Sequence, residues 1–134
     1  MSGNKTFTII KPDAFKSGYS GPIIKMIEDA GFSLKNMRLV RLDQESAGKF
    51  YAVHEDKPFF GRLCDYMCSG SIIVIELEKE NAVEDFRKLI GATNPDNAEE
   101  GTIRKLYATS IEANAIHGSD SDENAEIEIN FFFS

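Results

Sequence analysis

The sequence predicts an α/β protein in which helices cover a small sheet, and three observations carry this prediction. Strand-like and helix-like segments alternate along the 134 residues, which is typical of layered α/β architecture. Residues 72–75 form a continuous β-branched run, as in a strand that is covered on both faces. Residues 59–67 and 83–90 instead repeat their apolar positions at helical spacing. Alternation alone leaves open whether the strands run parallel or antiparallel.

The first 70 residues are predicted to contain two strands and three helices. Pro12 ends the first strand because proline supplies no N–H to a ladder, and Gly31 is a typical helix-ending residue. The predicted segments are a strand over 6–10, a helix over 20–31, a strand over 34–42, a helix that Asp43 caps and that ends near Tyr51, and a helix over 58–70.

The remaining residues are predicted to alternate in the same way. After the strand over 72–75, Asn81 is predicted to cap a helix, and Glu84 three residues later completes a capping-box pattern. A loop, a short helix and a short strand that leads into His117 follow, over 92–102, near 102–107 and up to 117. Residues 119–121 are predicted to cap a last helix, whose inward side chains are Ala125, Ile129 and Phe132.

Composition is that of an ordinary globular protein. The apolar fraction is 42% and the charged fraction is 28%, and we expect residues 1–134 to form one domain. The chain has no apolar run of the roughly 20 residues that a membrane span needs. It also begins without the long apolar stretch of a signal peptide. We therefore expect a cytoplasmic protein without a membrane partner.

Negative charge is concentrated in the last third of the chain. Residues 1–95 are balanced, whereas residues 96–134 carry nine acidic and two basic side chains and account for the net charge of −7. The basic stripe that general nucleic-acid binding needs is not seen, so no dedicated nucleic-acid surface is expected. A few placed cations, and not the overall field, would have to bind any phosphate.

The segment 114–121 is the most informative about chemistry. His117 is predicted at the end of a strand and directly before a helix, where a side chain is exposed yet rigidly held at its base. Neutral imidazole can attack an electrophile near neutral pH. Gly118 would permit an unusual backbone angle beside it, and Glu128 could fold back to fix the imidazole tautomer. The alternative is a partly buried structural histidine before a well-capped helix.

Three cations stand where they could meet a phosphate group. Lys11 follows the first strand, Arg87 lies on the helix over 83–90, and Arg104 follows the loop over 92–102. Cations that converge beside a histidine would suit phosphoryl transfer, which requires charge stabilisation of the equatorial oxygens. Each cation alone is more typical of a solvated or snorkelling side chain, and spacing does not decide between these interpretations.

No glycine-rich phosphate loop is present, since the sequence has neither a Walker A pattern nor Gly-x-Gly-x-x-Gly. A bound nucleotide would therefore be held in another way. Of Phe59 and Phe60, which follow Pro58, one is expected to pack inward, while the other could meet a planar ligand.

The two cysteines, Cys64 and Cys68, are interpreted as small core side chains on one helix face. A zinc site that combines them with His54 and His117 is a minor alternative. His54 stands among charged residues and is expected to be a solvated surface residue.

Six short motifs, taken together and in order, resemble the nucleoside diphosphate kinase family. They extend over almost the whole chain, and the last of them is the most specific. The motifs are TIIKPDA at 8–14, KPFF at 57–60, MCSG at 67–70, GATNP at 91–95, GTIR at 101–104 and NAIHGSDS at 114–121. The resemblance implies an enzyme that moves the γ-phosphoryl group of a nucleoside triphosphate to a nucleoside diphosphate by a ping-pong route. It also implies the family fold, a ferredoxin-like α/β sandwich with a four-stranded antiparallel sheet.

The resemblance assigns catalytic roles to individual residues. His117 matches the family nucleophile, which becomes a phosphohistidine through Nδ1. Ser119 and Glu128 match the side chains that support this histidine, and Tyr51 matches a tyrosine close to it. Lys11 matches a cation that holds the phosphates.

The implied nucleotide site has broad specificity, because stacking on a base and bonding to ribose discriminate weakly among bases. Phe59 matches the aromatic that stacks on the base, with Leu63 beside it. The residues that match positions holding the phosphates and sugar hydroxyls are Lys11, Arg87, Thr93, Arg104 and Asn114. The implied cofactor is Mg²⁺, which rides on the β- and γ-phosphates with little direct protein ligation, and Asp120 would help through water.

The chain looks like the shorter, bacterial form of this family, and no family motif can be placed in residues 31–44 or 127–134. The family includes hexamers and tetramers, so a homo-oligomer is expected. The terminal phenylalanines, residues 131–133, are expected to pack on the domain or at a subunit contact, since exposure would be unfavourable. The alternative function is a non-catalytic regulatory protein on the same fold that binds nucleotides or nucleic acid.

Overall fold

The strands of the computed structural model, which describes residues 3–111 and 113–133, form one sheet in the order β2-β3-β1-β4. The strands are β1 (Lys5–Ile10), β2 (Ser33–Val40), β3 (Ile72–Glu78) and β4 (Ile116–Gly118). All neighbouring pairs are antiparallel, which decides the question that alternation left open. The predicted four-stranded antiparallel sheet covered by helices is confirmed. Ser134, the end of the phenylalanine tail, lies outside the described residues.

Seven α-helices connect and cover these strands within the described ranges. They are α1 (Pro12–Lys16), α2 (Ser20–Asp29), α3 (Gln44–Phe50), α4 (Phe60–Met67), α5 (Ala82–Ile90), α6 (Ile103–Tyr107) and α7 (Asp122–Phe133). Single 3-10 turns lie at Ala52–His54 and Pro95–Asn97. The short helix α1 was not predicted, although its first residue, proline, is favourable at that position of a helix.

The sheet separates two apolar cores, because successive side chains of a strand point to opposite faces. On β3, Ile75 and Leu77 belong to one core, whereas Ile72 and Val74 belong to the other. All four side chains are fully buried, and β3 lies inside the sheet. The prediction of a central strand covered on both faces is confirmed.

Two of the three predicted helix caps are correct and one is wrong. Before α7, Ser121 Oγ accepts a hydrogen bond from the Asn124 N–H at 3.1 Å. Asp43 Oδ1 accepts a hydrogen bond from the Ser46 N–H, and Ser46 Oγ accepts one from the Asp43 N–H, which is a reciprocal capping box. Asn81 instead has a left-handed backbone with φ of +57°, and its side chain caps no backbone N–H of α5. Its amide donates to the Asp85 carboxylate at 3.2 Å. Asparagine tolerates this conformation, which turns its side chain away from the helix start.

Gly118 is required for a reason other than the predicted one. Its φ is not among the positive values of the described backbone. A Cβ at this position would lie 3.0 Å from both Ile90 Cδ1 and Phe86 Cδ2, and these two side chains are buried. The unusual backbone angle lies three residues earlier, at Ala115, with φ of +73°. The glycine therefore allows β4 to pack closely on α5.

We expect Gly118→Ala to destabilise the protein by about 1–3 kcal/mol, because the added methyl group would overpack the buried side chains of Ile90 and Phe86. Urea unfolding followed by circular dichroism measures the change. Gly21→Ala is the matched control, since a Cβ at this α2 position meets nothing within 4 Å, and it should stabilise by about 0.4–1 kcal/mol. Equal stability of Gly118→Ala and the wild type would contradict the packing argument.

Candidate active site

His117, Ser119 and Glu128 form one hydrogen-bonded group. His117 Nε2 and Glu128 Oε1 are 2.9 Å apart, and Ser119 Oγ donates to the same carboxylate oxygen at 2.6 Å. The histidine lies on β4 and the glutamate lies on α7, so the bond joins the sheet edge to the last helix. The side chains of His117 and Glu128 remain 20% and 18% exposed. The site is therefore reachable by a ligand while its base is held firmly.

The bond to Glu128 fixes the tautomer of the imidazole ring. A carboxylate oxygen can only accept a hydrogen bond, so Nε2 carries the ring proton. The other nitrogen, Nδ1, is then left with its lone pair. This is the state in which a neutral histidine can act as a nucleophile.

Strand β1 holds the backbone beneath this ring. Thr8 Oγ1 donates to the His117 carbonyl at 2.7 Å, and the Ser119 N–H donates to the Phe7 carbonyl at 3.2 Å. The rings of Phe7 and Phe50 meet the imidazole edge-on, with centroid separations of 6.2 and 6.0 Å. The imidazole is thus confined by two aromatic rings and by the pairing of β4 with β1.

A tight turn before β4 positions Asn114. Ala115 is buried with φ of +73°, and the Ile116 N–H donates to the Asn114 carbonyl at 2.9 Å. A three-residue turn of this kind with positive φ is rare and strained. It directs the buried Asn114 amide oxygen to Lys11 Nζ, which donates to it at 2.8 Å.

Arg104 is a buried cation that is bound to backbone on two sides. Its Nη1 donates to the Gly91 carbonyl at 3.0 Å and its Nη2 donates to the Ile116 carbonyl at 2.7 Å. Nε is buried and has no partner in the described part of the chain. The side chain therefore connects the end of α5 to the residue that precedes His117.

The three predicted cations share one electrostatic field. Burial and the charge of Arg104 lower the pKa of Lys11 to about 8. Burial and the charge of Arg87 lower the pKa of Arg104 to about 10. Among the described residues, the hydrogen-bond partners of Lys11 and Arg104 are neutral oxygens, and the nearby Asp13 carboxylate acts on the pKa of Lys11 only by raising it less than burial lowers it. This arrangement suits an incoming anion.

Tyr51 lies close enough to Glu128 for the two to interact electrostatically. Burial and the negative charge of Glu128 both raise the pKa of the tyrosine. Its hydroxyl is buried, and within residues 3–111 and 113–133 it has no hydrogen-bond partner. Beside the histidine group there is therefore a donor that no described residue uses.

The two adjacent phenylalanines have different environments, as predicted. Phe60 packs against a core cluster, whereas Phe59 is 39% exposed and precedes α4. Leu63 lies one turn further along α4 and is half-buried.

The prediction that His54 is a solvated surface residue needs correction. The His54 side chain is half-buried, and its ring centroid is 5.6 Å from that of Phe59. The polar loop that contains His54 folds back onto the aromatic ring.

The other predicted ligand-binding positions are exposed. Arg87 lies on α5, Thr93 lies in the turn after it, and Asp120 accepts a hydrogen bond from Asn124 before α7. Arg87 also lines a groove of about 510 Å³ with Gly91 and other residues. This groove contains neither His117 nor Lys11, so the chemistry that these two residues could perform lies outside it.

The zinc alternative is not supported by the geometry. Among the described residues, no three His, Cys, Asp or Glu side chains are grouped so that they could hold a metal ion. Cys64 is buried and Cys68 is half-buried, in agreement with their interpretation as small core side chains.

None of the helices within residues 3–111 and 113–133 has the length and apolar character to span a membrane.

Comparison with known proteins identifies the family. The family model described as nucleoside diphosphate kinase matches residues 4–134. The chain belongs to the nucleoside diphosphate kinase family. It is 58% identical over 134 residues to the nucleoside diphosphate kinase of Flavobacterium psychrophilum, covering all of this chain and 96% of that protein. It is 55% identical to the Chlorobium limicola enzyme, covering 97% of this chain and 93% of that protein.

Solved structures of nucleoside diphosphate kinases confirm the fold. The Aquifex aeolicus enzyme superposes with a TM-score of 0.96 at 40% identity, over 98% of this chain and 95% of that one. The Halobacterium salinarum enzyme, solved in complex with CDP, superposes with a TM-score of 0.93 at 37% identity, over 98% of this chain and 89% of that one. The ferredoxin-like α/β fold that the resemblance implied is therefore correct. The chain is an enzyme of nucleotide phosphoryl transfer, and the non-catalytic alternative is not favoured.

Several residues at the site carry no signal in the amino-acid sequence that points to it. Phe7, Thr8 and Phe50 contact His117 or its backbone, but their positions carry only ordinary strand and helix signals. Ala115 adopts a conformation that its residue type does not indicate. The pairing of β1 with β4 brings Phe7 and Thr8 to the histidine, and the packing of α3 brings Phe50, so these contacts join residues far apart in sequence.

We expect Lys11 to make the enzyme more stable as the pH rises from about 8 to about 10. Its pKa falls from 10.5 to about 8 on folding, so the unfolded chain binds more protons in this interval, and stability rises with pH. The contribution to the free energy of unfolding is about 2 kcal/mol. Urea unfolding of the wild type and of Lys11→Met across this interval measures it.

Lys11→Met should lack this rise in stability. Lys16→Met, which removes an exposed lysine from α1, controls for the loss of one positive charge and should retain it. Parallel pH curves for the wild type and Lys11→Met would show that burial of the ammonium group does not act in this way.

Proposed function

We propose that this enzyme transfers the γ-phosphoryl group of a nucleoside triphosphate, mainly ATP, to a nucleoside diphosphate through a phosphohistidine on His117. The observation that carries the proposal is the hydrogen bond between His117 Nε2 and Glu128. It leaves Nδ1 as the nitrogen with a free lone pair. The nucleophile is therefore prepared before a nucleotide arrives.

The proposed reaction has two balanced steps. The Nδ1 lone pair attacks the γ-phosphorus, a P–N bond forms, and the bond to the β–γ bridging oxygen breaks with its electron pair on the leaving diphosphate. In the second step, a terminal oxygen of another diphosphate attacks the same phosphorus and the P–N bond breaks. Glu128 stabilises the positive charge of the imidazole ring between the steps, and Ser119 holds the carboxylate in place.

The cations are proposed to stabilise the transferred group. Phosphoryl transfer depends mainly on positioning and on charge stabilisation at the equatorial oxygens. Lys11 and Arg104 are buried and share one field with Arg87, so a phosphate would be attracted to all three. Asn114 orients Lys11, and the unpartnered Tyr51 hydroxyl is suited to donate to a phosphoryl oxygen.

Nucleotide binding is proposed to rely on stacking and on a few polar contacts. The exposed ring of Phe59 would stack on the base, with Leu63 beside it, and Thr93 would contact the phosphates. The related enzyme of Halobacterium salinarum was solved with CDP, which supports a nucleotide site on this fold. Since stacking does not read the base edges, we expect broad specificity for the base.

Mg²⁺ is the proposed cofactor, and the residues fit an ion that the nucleotide carries. Mg²⁺ is typically bound through substrate phosphates and one or two carboxylates. The described side chains form no metal-binding group of their own, whereas the exposed Asp120 carboxylate could act through water. When bound, the ion would neutralise charge on the β- and γ-phosphates.

Residues 1–134 are proposed to act as one domain, and the protein is proposed to lie in the cytoplasm. Cell fractionation tests the location.

The chain is further proposed to be a homo-oligomer, a hexamer or a tetramer. Strand β2 is an edge of the sheet and exposes Met37 and Leu39 at 52% and 64%. Free edges with apolar side chains are usually covered, and a second copy of β2 would cover this one.

Light scattering should give a mass several times the 14.9 kDa of one chain. Leu39→Asp should reduce that mass, because it places a charge in the proposed contact. Val53→Asp, at a residue that is 81% exposed, is the control and should leave the mass unchanged. A wild-type mass of one chain would refute the oligomer.

His117→Ala should abolish the phosphoenzyme that forms with γ-labelled ATP and magnesium while leaving the fold intact. His54→Ala is the matched control for loss of an imidazole and should be labelled like the wild type. An arm with a chelator in place of magnesium should remain unlabelled. Wild-type transfer by His117→Ala would disprove the mechanism, and normal labelling without a divalent ion would disprove the cofactor.

A further inference from the structure

Helix α7 has no cation of its own near its C-terminus. Its twelve residues, DENAEIEINFFF, include four acidic side chains and no lysine or arginine. Acidic residues are favourable at a helix N-terminus, whereas the last carbonyls need donors or positive charge. The end of α7 therefore depends on another element of the fold.

Arg38 supplies this charge from the neighbouring edge strand. Its Nη1 donates to the Phe132 carbonyl at 2.8 Å, within the last turn of α7. The bond is charge-assisted and joins β2 to a helix 94 residues later in the chain. The segment 31–44, which contains this arginine, carries no family motif.

The turn that Arg38 holds is the turn that supports the histidine group. The Phe132 ring stacks on Phe7 at 5.5 Å with an interplanar angle of 6°, and it contacts Phe50 at 5.4 Å. Both of these rings meet the His117 imidazole. In an α-helix, the N–H of residue 132 donates to the carbonyl of residue 128, so fraying that extends back to Phe132 would free the backbone of Glu128.

We propose that Arg38 is a positioning residue for phosphoryl transfer, which holds the Phe132 ring and the Glu128 carboxylate in the arrangement that orients His117. Arg38 acts through α7 and touches no reacting atom. The proposal rests on the proposed function, because it assumes that His117 is the nucleophile. It also gives Phe132 a role, since this residue of the phenylalanine tail packs within the domain beside Phe7 and Phe50, whereas Phe131 is 39% exposed.

Single-turnover labelling by ATP and NMR of the ¹⁵N-labelled imidazoles test this role with Arg38→Met. We expect labelling to slow by roughly tenfold, which corresponds to the loss of one charge-assisted bond, with the KM for ATP unchanged. The His117 signals should change from one Nε2-protonated tautomer to a mixture. The chain has two histidines, so comparison with His117→Ala assigns them.

Two further variants separate positioning from general effects. Arg38→Lys retains a cationic donor and should restore most of the rate, whereas Arg41→Met, which removes an exposed arginine nearby, should label like the wild type. If Arg38→Met does not fold, Arg38→Gln, which keeps an N–H donor without the charge, takes its place and should give a smaller change of the same kind.

A wild-type rate in Arg38→Met, an equal loss in Arg41→Met, or a slower rate with an unchanged tautomer would overturn the role of Arg38. The proposed function fails separately. If the wild type forms no phosphoenzyme, His117 is not the nucleophile, while the imidazole signals still report whether Arg38 orients the ring.

Discussion

The hydrogen bond between His117 Nε2 and Glu128 is the interaction on which the rest of the site depends. An imidazole can present either nitrogen, and only the one without a proton can attack phosphorus. The bond joins β4 to α7, so it forms only when the last helix packs on the sheet with Glu128 opposite His117. The same ring is restricted by the pairing of β1 with β4 and by the Phe7 and Phe50 rings. The Ser119 hydroxyl restricts its partner, because it donates to the Glu128 carboxylate.

The cations are placed at a cost in stability that prepares them for a phosphate. Burial of a charge is unfavourable unless it is paired, yet Lys11 and Arg104 are bonded to neutral oxygens and lie within each other's field. The lowered pKa values of both groups express this cost. An anionic phosphate would relieve this cost, so under the proposed function the free energy that folding loses here would contribute to binding and transition-state stabilisation.

Local signals in the sequence predicted much of the fold and the identity of the histidine group. The Asp43 cap, the buried run that became β3 and the inward face of α7 each depend on residues close in sequence, and all were correct. The direction of the strands, the strained turn at Ala115 and the bond from Arg38 to α7 depend on contacts between distant segments. Residue type does not encode these contacts, so only the assembled structure revealed them. The family motifs assigned roles to Lys11, Arg87 and Arg104, but no spacing argument could bring them together.

The acidic surface and the cationic site act at different ranges. Residues 96–134 carry the whole net charge of −7, which would repel a nucleotide if long-range forces governed its approach. At physiological ionic strength, exposed charges are screened beyond about 8 Å, whereas buried charges are screened much less. Lys11 and Arg104 are buried beside the tight turn and β4, so their field acts on a phosphate that has already entered. Under the proposed function, selection for phosphate would therefore be made by contact within the site and not by steering from the surface, and net charge would give no indication of an anionic substrate.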